Sequence, residues 1–188
     1  MSATAQPDTK LETQSCTRCG GSGHYSYCQS HGTTCFKCGG NKIIWTKRGA
    51  LASSFLTALC SKRADQIVVG EKVKTDFGCP ISGQVRGFGT VTESYMSTLS
   101  GGTANGVQIF HYVVTVTHPK HGGISHHGSP STVYRVAQNA ADKAAKFQLA
   151  LAFQAKLTKS GKIAKNAVLT EAEFAFAGSI FSNLRKTV

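Results

Sequence analysis

Residues 16–40, CTRCGGSGHYSYCQSHGTTCFKCGG, carry five of the seven cysteines of this 188-residue chain. The outer four form two Cys-x-x-Cys pairs, Cys16/Cys19 and Cys35/Cys38, that are fifteen residues apart. This spacing is typical of a zinc site with four cysteine ligands. Two thiolates two residues apart can bind one ion from a tight turn, and the glycines after each pair let backbone amides turn back towards the sulfurs. We therefore predict that the four outer cysteines bind one Zn2+ ion.

The same residues allow other interpretations. A Cys-x-x-Cys pair can be a redox pair, but that motif usually opens a helix in a βαβ unit, which this sequence does not predict. Four cysteines can also hold an iron–sulfur cluster, although two separate Cys-x-x-Cys turns favour zinc. Cys28 and His31 form a reserve ligand pair inside the stretch; without a metal, Cys28 would be a free thiol. A site closed by four sulfurs has no open position for water, which predicts a structural ion.

Residues 16–23, CTRCGGSG, match a C-x-x-C-x-G-x-G repeat, and residues 35–40, CFKCGG, match most of a second one, whose last glycine is replaced by Lys42. The stretch therefore resembles the DnaJ-type cysteine-rich zinc domain over residues 16–40. The resemblance implies that the four outer cysteines hold one zinc at the base of a β-hairpin, and it leaves peptide binding open. Only two repeats are present and the His-Pro-Asp signature of a J-domain is not found, so co-chaperone activity is not implied.

The chain is strongly basic, with 21 Lys and Arg residues against nine Asp and Glu, a net charge of +12 and a pI near 9.6. The excess is +4 over residues 1–50 and +5 over residues 137–188, whereas residues 80–136 hold three basic residues and one acidic residue. Such a charge attracts polyanions, so we expect a nucleic acid, DNA or RNA, as the partner. The plainer alternative is an ordinary solvated surface.

The sequence predicts a cytoplasmic protein without a membrane partner. No segment approaches the ~20 consecutive apolar residues of a membrane span. The polar start of the chain, MSATAQPDTKLETQS, lacks the apolar region of a secretory signal. Thiols stay reduced in the cytosol, which favours metal binding over disulfides for clustered cysteines.

The central sequence predicts an antiparallel β-barrel. Segments rich in β-branched and aromatic residues, from QIVVGEKVKT to STVYRV, indicate four or five short strands. QIVVGEKVKT itself indicates a strand, a turn at Gly70 and a second strand. Further turn signals lie at Gly101-Gly102, Asn105-Gly106 and Gly122-Gly123. The order I-V-V-G-E-K-V followed by G-x-G-T-V resembles the start of an SH3-like barrel.

Helical patterns flank this barrel, so the predicted fold class is α+β with small modules. Apolar residues recur at helical spacing over residues 47–62, residues 137–159 are rich in Ala and Lys, and Thr170 with Glu173 forms a capping box. The predicted organisation is a disordered tail over 1–14, a zinc-binding hairpin module over 15–46, a connecting helix over 47–64, an SH3-like β-barrel over 65–136 and a C-terminal helical segment over 137–188.

Basic and aromatic side chains are interleaved in and after the cysteine stretch, which suits pairing with phosphates and stacking on bases. The alternative is that Tyr25, Tyr27 and Trp45 fill the small core of the module. The competing function is a protein-interaction module, such as an adaptor, a chaperone-like peptide binder or an inhibitor, with a purely structural zinc. The residues predicted to bind nucleic acid are Arg18, Lys37, Lys42, Trp45, Lys47, Arg48, Lys143 and Lys146.

Five of the seven histidines lie between positions 111 and 127, at His111, His118, His121, His126 and His127. Metal binding or acid–base catalysis is one interpretation. A flexible polar hairpin loop is the plainer one, because Glu93 is the only acidic residue between positions 77 and 141. The chain has no phosphate-binding loop, dinucleotide fingerprint or nucleophile elbow, so we predict no catalysis. An enzyme would need these histidines to converge with Cys60, Cys79 or Glu93.

Overall fold

The computed structural model of the chain describes residues 10–25, 32–77, 85–104 and 107–181. Over these residues the fold is α+β, as predicted, with three α-helices and eight β-strands. None of these helices is long and apolar enough to cross a membrane. The chain divides into two compact units, which we call the terminal unit (Met1–Leu56 with Ala144–Val188) and the central unit (Thr57–Lys143).

The terminal unit begins with a two-stranded sheet. Strand β1 (Thr13–Ser15) pairs antiparallel with β2 (Ile43–Trp45). Leu11, just before β1, is buried. Residues 10–14, predicted as part of a disordered tail, are therefore ordered, because strand pairing and a buried leucine offset the entropy lost in fixing them. Residues 1–9 of that predicted tail lie outside the described residues.

Helix α1 (Lys47–Leu59) begins beside β1, where the sequence predicted a helix. Thr46 Oγ1 accepts a hydrogen bond from the Gly49 amide at 3.0 Å, which satisfies one of the free donors of the first turn. A Cβ atom on Gly49 would lie 1.9 Å from the carbonyl oxygen of Glu12. Only glycine therefore allows the helix to approach the strand this closely.

Helices α2 (Ala140–Ala155) and α3 (Glu171–Ile180) complete the described helices. Within the terminal unit, Phe55, Phe153 and Phe176 bring one ring from each helix into a cluster with centroids 4.8, 5.2 and 5.8 Å apart. These tilted and edge-on contacts are the geometry that aromatic pairs prefer. The apolar residues that recur along each of the three helices thus place one phenylalanine ring in the shared cluster.

Two buried polar side chains of this unit are hydrogen-bonded. The Glu173 carboxylate accepts from Lys156 Nζ at 2.6 Å and from the Thr170 amide at 2.7 Å, so the predicted capping box at the start of α3 is confirmed. Gln154, which is completely buried, accepts from the Glu12 amide at 2.7 Å. Each bond removes the desolvation cost that an unpaired buried group would carry.

The central unit contains a curled antiparallel sheet that forms a half-barrel. Its strands run in the order β4 (Lys72–Phe77), β5 (Val85–Ala104), β6 (Val107–His118) and β7 (Gly122–Gly128), and β3 (Ser61–Arg63) pairs separately with β8 (Val133–Arg135). Alternate residues face inward, which is the period of a strand with one buried side. The buried cluster consists of Ala64, Ile67, Val73, Phe77, Val91, Val114, Val116, Tyr134 and Val136.

Two predicted details of the β region differ from the structure. Gly101-Gly102 lies within β5 instead of forming a turn, at a point where the register with β6 shifts between Ser100 and Thr103. Residues 66–69 do not form a strand, because only Ile67 is buried whereas Val68 and Val69 are 62% and 59% exposed. The predicted turn at Asn105-Gly106 lies outside the described residues.

Close packing around Gly89 gives a test of this core. A Cβ atom there would lie 2.6 Å from both Phe77 Cζ and Val116 Cγ1. We expect Gly89→Ala to lower the free energy of unfolding of the central unit by about 1–3 kcal/mol, the usual cost of overpacking. Gly87→Ala is the matched control, because a Cβ at Gly87 on the same strand meets nothing closer than 3.9 Å. Urea titration followed by amide NMR signals of the sheet measures both; equal effects would contradict this packing.

Candidate metal centre

The two Cys-x-x-Cys turns are held together by matching backbone bonds. The Cys16 amide donates to the carbonyl of Lys42 at 2.8 Å, and the Cys35 amide donates to the carbonyl of Gly23 at 2.9 Å. Each acceptor lies seven residues after the first cysteine of the opposite turn. Two halves with the same bonding pattern thus build one hairpin, which brings the two cysteine pairs face to face.

Each turn also closes on itself in the same way. The Ser22 amide donates to the Cys19 carbonyl at 3.1 Å, and the Asn41 amide donates to the Cys38 carbonyl at 2.9 Å. The Gly-Gly pairs after the second cysteines have φ angles of +60° and +87° in the first turn and +58° and +82° in the second. These left-handed conformations favour glycine, which explains the repeated C-x-x-C-G-G sequence.

The four sulfurs converge on one point. Cys16 and Cys35 Sγ lie 3.9 Å apart, Cys19 and Cys38 Sγ lie 3.8 Å apart, and all four lie within 4.8 Å of one another. A tetrahedral ion with metal–sulfur bonds of about 2.3 Å requires sulfurs about 3.8 Å apart. A disulfide requires about 2.05 Å, and the cysteines are free thiols. This four-cysteine cluster therefore has the size and donor set to hold a metal ion.

Burial and backbone amides act in opposite directions on these thiols. Burial disfavours the Cys19 thiolate, but hydrogen bonds from the Gly23 and Gly21 amides outweigh it and lower its pKa to about 6. Burial raises the pKa of Cys38 to about 11. The cluster by itself thus keeps some thiols protonated at neutral pH, and a bound cation would supply the positive charge that lets all four ionise.

Arg18, a predicted nucleic-acid contact, is stacked inside the hairpin. Its guanidinium carbon lies 4.4 Å from the ring centroid of Tyr25 and 3.7 Å from that of Phe36. Its Nε atom is buried and has no hydrogen-bond partner among the described residues. Tyr25 in turn packs on the cysteine cluster. Arg18 therefore supports the exposed Phe36 ring, and the predicted core role of Tyr25 agrees with its position.

A groove of about 530 Å3 lies beside the cluster. We call it the hairpin groove; the residues that line it are Thr13, Lys37, Cys38, Asn41, Ile43, Ile44 and Trp45. Trp45 is 49% exposed and so does not fill the core of the module. Lys37, which donates to Thr17 Oγ1 at 2.6 Å, adds the only charge of the lining. The groove therefore combines an exposed indole with a cation.

The remaining predicted nucleic-acid residues fall into different settings. Lys42 and Lys47 are exposed on the terminal unit. Arg48 is half-buried and donates to the Glu12 carboxylate at 3.0 Å, which neutralises its charge. Lys143 is exposed in the central unit, whereas Lys146 is half-buried. The structure thus leaves Lys37, Lys42 and Lys47 as the exposed predicted lysines of the hairpin module and the start of α1.

The backbone of Lys42 was not anticipated from the sequence. Its φ is +69°, whereas φ of Gly23 at the equivalent position of the first turn is +84°. A lysine in this left-handed conformation costs roughly 1–2 kcal/mol relative to glycine. The sequence shows that Lys42 replaces the last glycine of the second repeat. The backbone strain at Lys42 follows only from the structure, in which the two turns have the same fold.

The predicted histidine loop forms the hairpin between β6 and β7. His118 and His121 stack with ring centroids 4.7 Å apart, and Phe77 lies 5.2 Å from His118. The His126 ring is hydrogen-bonded to Thr75 Oγ1, and burial lowers its pKa. Within the described ranges, the cysteine cluster is the only group of three or more such side chains placed to bind a metal. Cys60 and Glu93 do not join the histidines.

Several predicted residues lie outside the described ranges, namely Tyr27, the reserve ligands Cys28 and His31, and Cys79. His24 is described and exposed, and its Nδ1 lies 3.2 Å from Thr33 Oγ1, away from the sulfur cluster.

No protein-family model, curated protein or solved structure matches this chain. The resemblance of residues 16–40 to the DnaJ-type zinc domain therefore stays a prediction based on the two repeats. The metal centre is supported by its own geometry.

Removal of one sulfur tests the centre. Cys35 is completely buried in the cluster. Loss of a residue that only supports a metal ligand costs up to about 100-fold in affinity, so we expect loss of the ligand itself in Cys35→Ser to weaken metal binding by more than about 100-fold. Cys60→Ser is the control, because Cys60 is a buried free thiol of the central unit. Metal content per chain, measured by plasma mass spectrometry, should fall only in Cys35→Ser. Full retention by that variant would contradict the assignment.

Proposed function

We propose that this chain is a cytoplasmic, non-catalytic, zinc-dependent nucleic-acid-binding protein. The ion is Zn2+, because four thiolates in a closed tetrahedral shell suit this ion and leave no position for water. The hairpin is a shortened form of the DnaJ-type cysteine-rich domain, with one zinc. The curled sheet of the central unit is an SH3-like barrel. The zinc holds a segment too small to fold on its own apolar core.

The observation that carries the proposal is the exposed surface of the hairpin. Phe36 and Trp45 are 67% and 49% exposed, and Lys37 lies next to Phe36 in sequence and shares the hairpin groove with Trp45. Aromatic faces beside cations bind single-stranded nucleic acid by stacking on bases and pairing with phosphates.

The stretch of sequence that carries this surface has only positive charges. The chain has no Asp or Glu between Thr13 and Ala64, and the nearest acidic group, Glu12, is paired with Arg48 at 3.0 Å. Exposed Lys37, Lys42 and Lys47 therefore have no competing carboxylate in this part of the sequence. A phosphate backbone would gain attraction and release its counterions on binding.

Lys42 supports the same interpretation. Glycine would fit its left-handed backbone without cost, as it does at Gly23, yet the chain carries a lysine. Strain retained at an exposed cation is the pattern expected where the side chain has a function that outweighs a small loss of stability.

A second candidate is a protein-interaction module, favoured by the apolar part of the hairpin groove. Ile43 is 52% exposed and lies in the groove with Ile44 and Trp45. An apolar side chain of a peptide would fit there and would give binding that depends little on salt. The proposed nucleic-acid ligand gives the opposite salt behaviour, so one titration separates the two.

The test is binding of fluorescent fifteen-nucleotide single strands, DNA and RNA, to the zinc-loaded chain by anisotropy. We expect binding at about 50 mM salt and a steep loss of affinity at about 200 mM, because each phosphate contact adds about −0.7 to the logarithmic salt slope. Trp45→Ala should cost about 1–3 kcal/mol through lost stacking, and Phe174→Ala, an exposed ring of α3, should cost little. Absence of affinity at about 50 mM salt would overturn the proposal.

Lys42→Gly should separate function from stability. We expect thermal stability of the zinc-loaded chain to rise, because about 1–2 kcal/mol of backbone strain is released. The salt slope should fall by about 0.7, because one phosphate contact is lost. Lys120→Gln, an exposed lysine of the central unit, is the control for charge alone. A stabilised Lys42→Gly variant that binds with unchanged affinity and slope would contradict the role of Lys42.

A further inference from the structure

A second cavity lies entirely within the central unit. Strands β4 and β5 place Lys74 opposite Phe88, and the chain after β8 runs beside β4, where Val73 bridges Val136 and the Ala137 amide donates to the Lys72 carbonyl at 2.7 Å. The side chains of Lys74 and Phe88 face away from the buried cluster, since Val73 and Thr75 face inward. The resulting β4–β8 pocket encloses about 410 Å3.

The pocket is cationic. Lys74 from β4, Arg135 from β8 and Lys143 from the first turn of α2 all line it, and no acidic residue does. None of the three forms an ion pair in the part of the chain that the structure describes. Three unpaired positive groups around one cavity repel each other, so an anion that enters gains attraction from all three.

The carboxylate of β4, Asp76, attracts Lys74 through space but forms its hydrogen bonds with Arg86. Asp76 accepts two hydrogen bonds from Arg86, at 2.7 and 3.2 Å, and the Arg86 guanidinium holds the pKa of Asp76 below its usual range. Asp76 is therefore paired with Arg86, the residue opposite it on β5. Lys74, two residues earlier, is left to face the pocket.

Apart from the amide of Gln138, the rest of the lining is apolar or aromatic. Cys60 and Val136 are 6% and 8% exposed and line the cavity, whereas Phe88 is 42% exposed and offers its ring. A cavity of this volume, with cations and one accessible ring, matches the dimensions of a small-ligand site. The combination corresponds to one nucleotide, with its phosphate on the cations and its base on the phenyl ring.

We propose that the β4–β8 pocket binds one nucleotide unit of single-stranded nucleic acid, with the phosphate held by Lys74, Arg135 and Lys143 and the base stacked on Phe88. The inference shares its ligand class with the proposed function of the hairpin, but it uses other residues and can be tested separately. Lys143 was a predicted nucleic-acid residue of the sequence; the other three residues were not.

The experiment is a titration of the zinc-loaded, 15N-labelled chain with adenosine 5′-monophosphate, up to about 5 mM, followed by amide NMR shifts. We expect shifts at Lys74, Phe88 and residues 135–138. Adenosine without phosphate should bind at least about tenfold more weakly, as expected when a charged partner is lost. Absence of shifts at these amides, or equal affinity for adenosine, would overturn the proposal.

Variants assign the contacts. Lys74→Gln and Lys143→Gln should each weaken the nucleotide about tenfold, and Phe88→Leu should weaken it while preserving an apolar side chain. Lys120→Gln is the matched control, because Lys120 is exposed in the same unit but lies outside the pocket. Unchanged affinity in the pocket variants, with folding verified by circular dichroism, would also overturn the proposal.

Two further comparisons separate the possible failures. An adenosine hexanucleotide should shift the same amides at lower concentration than the mononucleotide; if it does not bind there, the strand assignment is overturned. The nucleotide-induced shifts of the pocket amides, at Lys74, Phe88 and residues 135–138, should report the pocket alone, because the hairpin residues lie outside its lining. If strands do not bind the hairpin but the nucleotide still shifts the pocket amides, the proposed function alone is refuted. If strands bind the hairpin but the pocket amides do not shift, the pocket proposal alone is refuted.

Discussion

Convergence of four thiols is the constraint on which the hairpin of this protein depends. Among the residues of the hairpin that the structure describes, the buried side chains at this point are few: Cys16, Cys35 and Cys38 are buried, and Tyr25 and Ile44 only partly cover them. So small an apolar cluster contributes little compared with the entropy of ordering two glycine-rich turns. Metal–thiolate bonds that form only in the folded hairpin would supply the missing free energy. The glycine conformations, the cross-turn bonds and the orientation of the amides all serve to bring the sulfurs together.

The small apolar core also explains which aromatic side chains of the hairpin are exposed. A module that a bound metal would stabilise does not need its aromatic residues as core filler. Phe36 and Trp45 are exposed, whereas Arg18 and Tyr25 pack within the hairpin. The central unit differs, because its apolar residues form an ordinary buried cluster and three of its cations line a pocket. Both surfaces combine positive charge with an accessible ring, which is the combination that the proposed binding of single-stranded nucleic acid requires.

Features that depend on local spacing were predicted correctly from the sequence. The prediction failed for features that depend on contacts with residues distant in the sequence. The outer cysteines, the capping box at Thr170 and the β-rich centre follow from spacing and composition. Strand pairing does not follow from the sequence in this way. Thr13 and Gln14 are held in a strand by β2, and Gly101-Gly102 lies inside a long strand because β6 runs beside it. Arg18 looked like a free cation, since nothing in its neighbourhood along the chain indicates that two rings enclose it.

X-ray absorption at the zinc edge tests the central claim most directly. The full chain, expressed in medium containing zinc, should give a first shell of four sulfurs at about 2.3 Å and no nitrogen or oxygen ligand. A mixed sulfur and nitrogen shell would show that a histidine replaces one of the four cysteines. Absence of zinc from a folded chain would contradict the account altogether, because the hairpin would then be stable without the ion that its sulfurs are placed to bind.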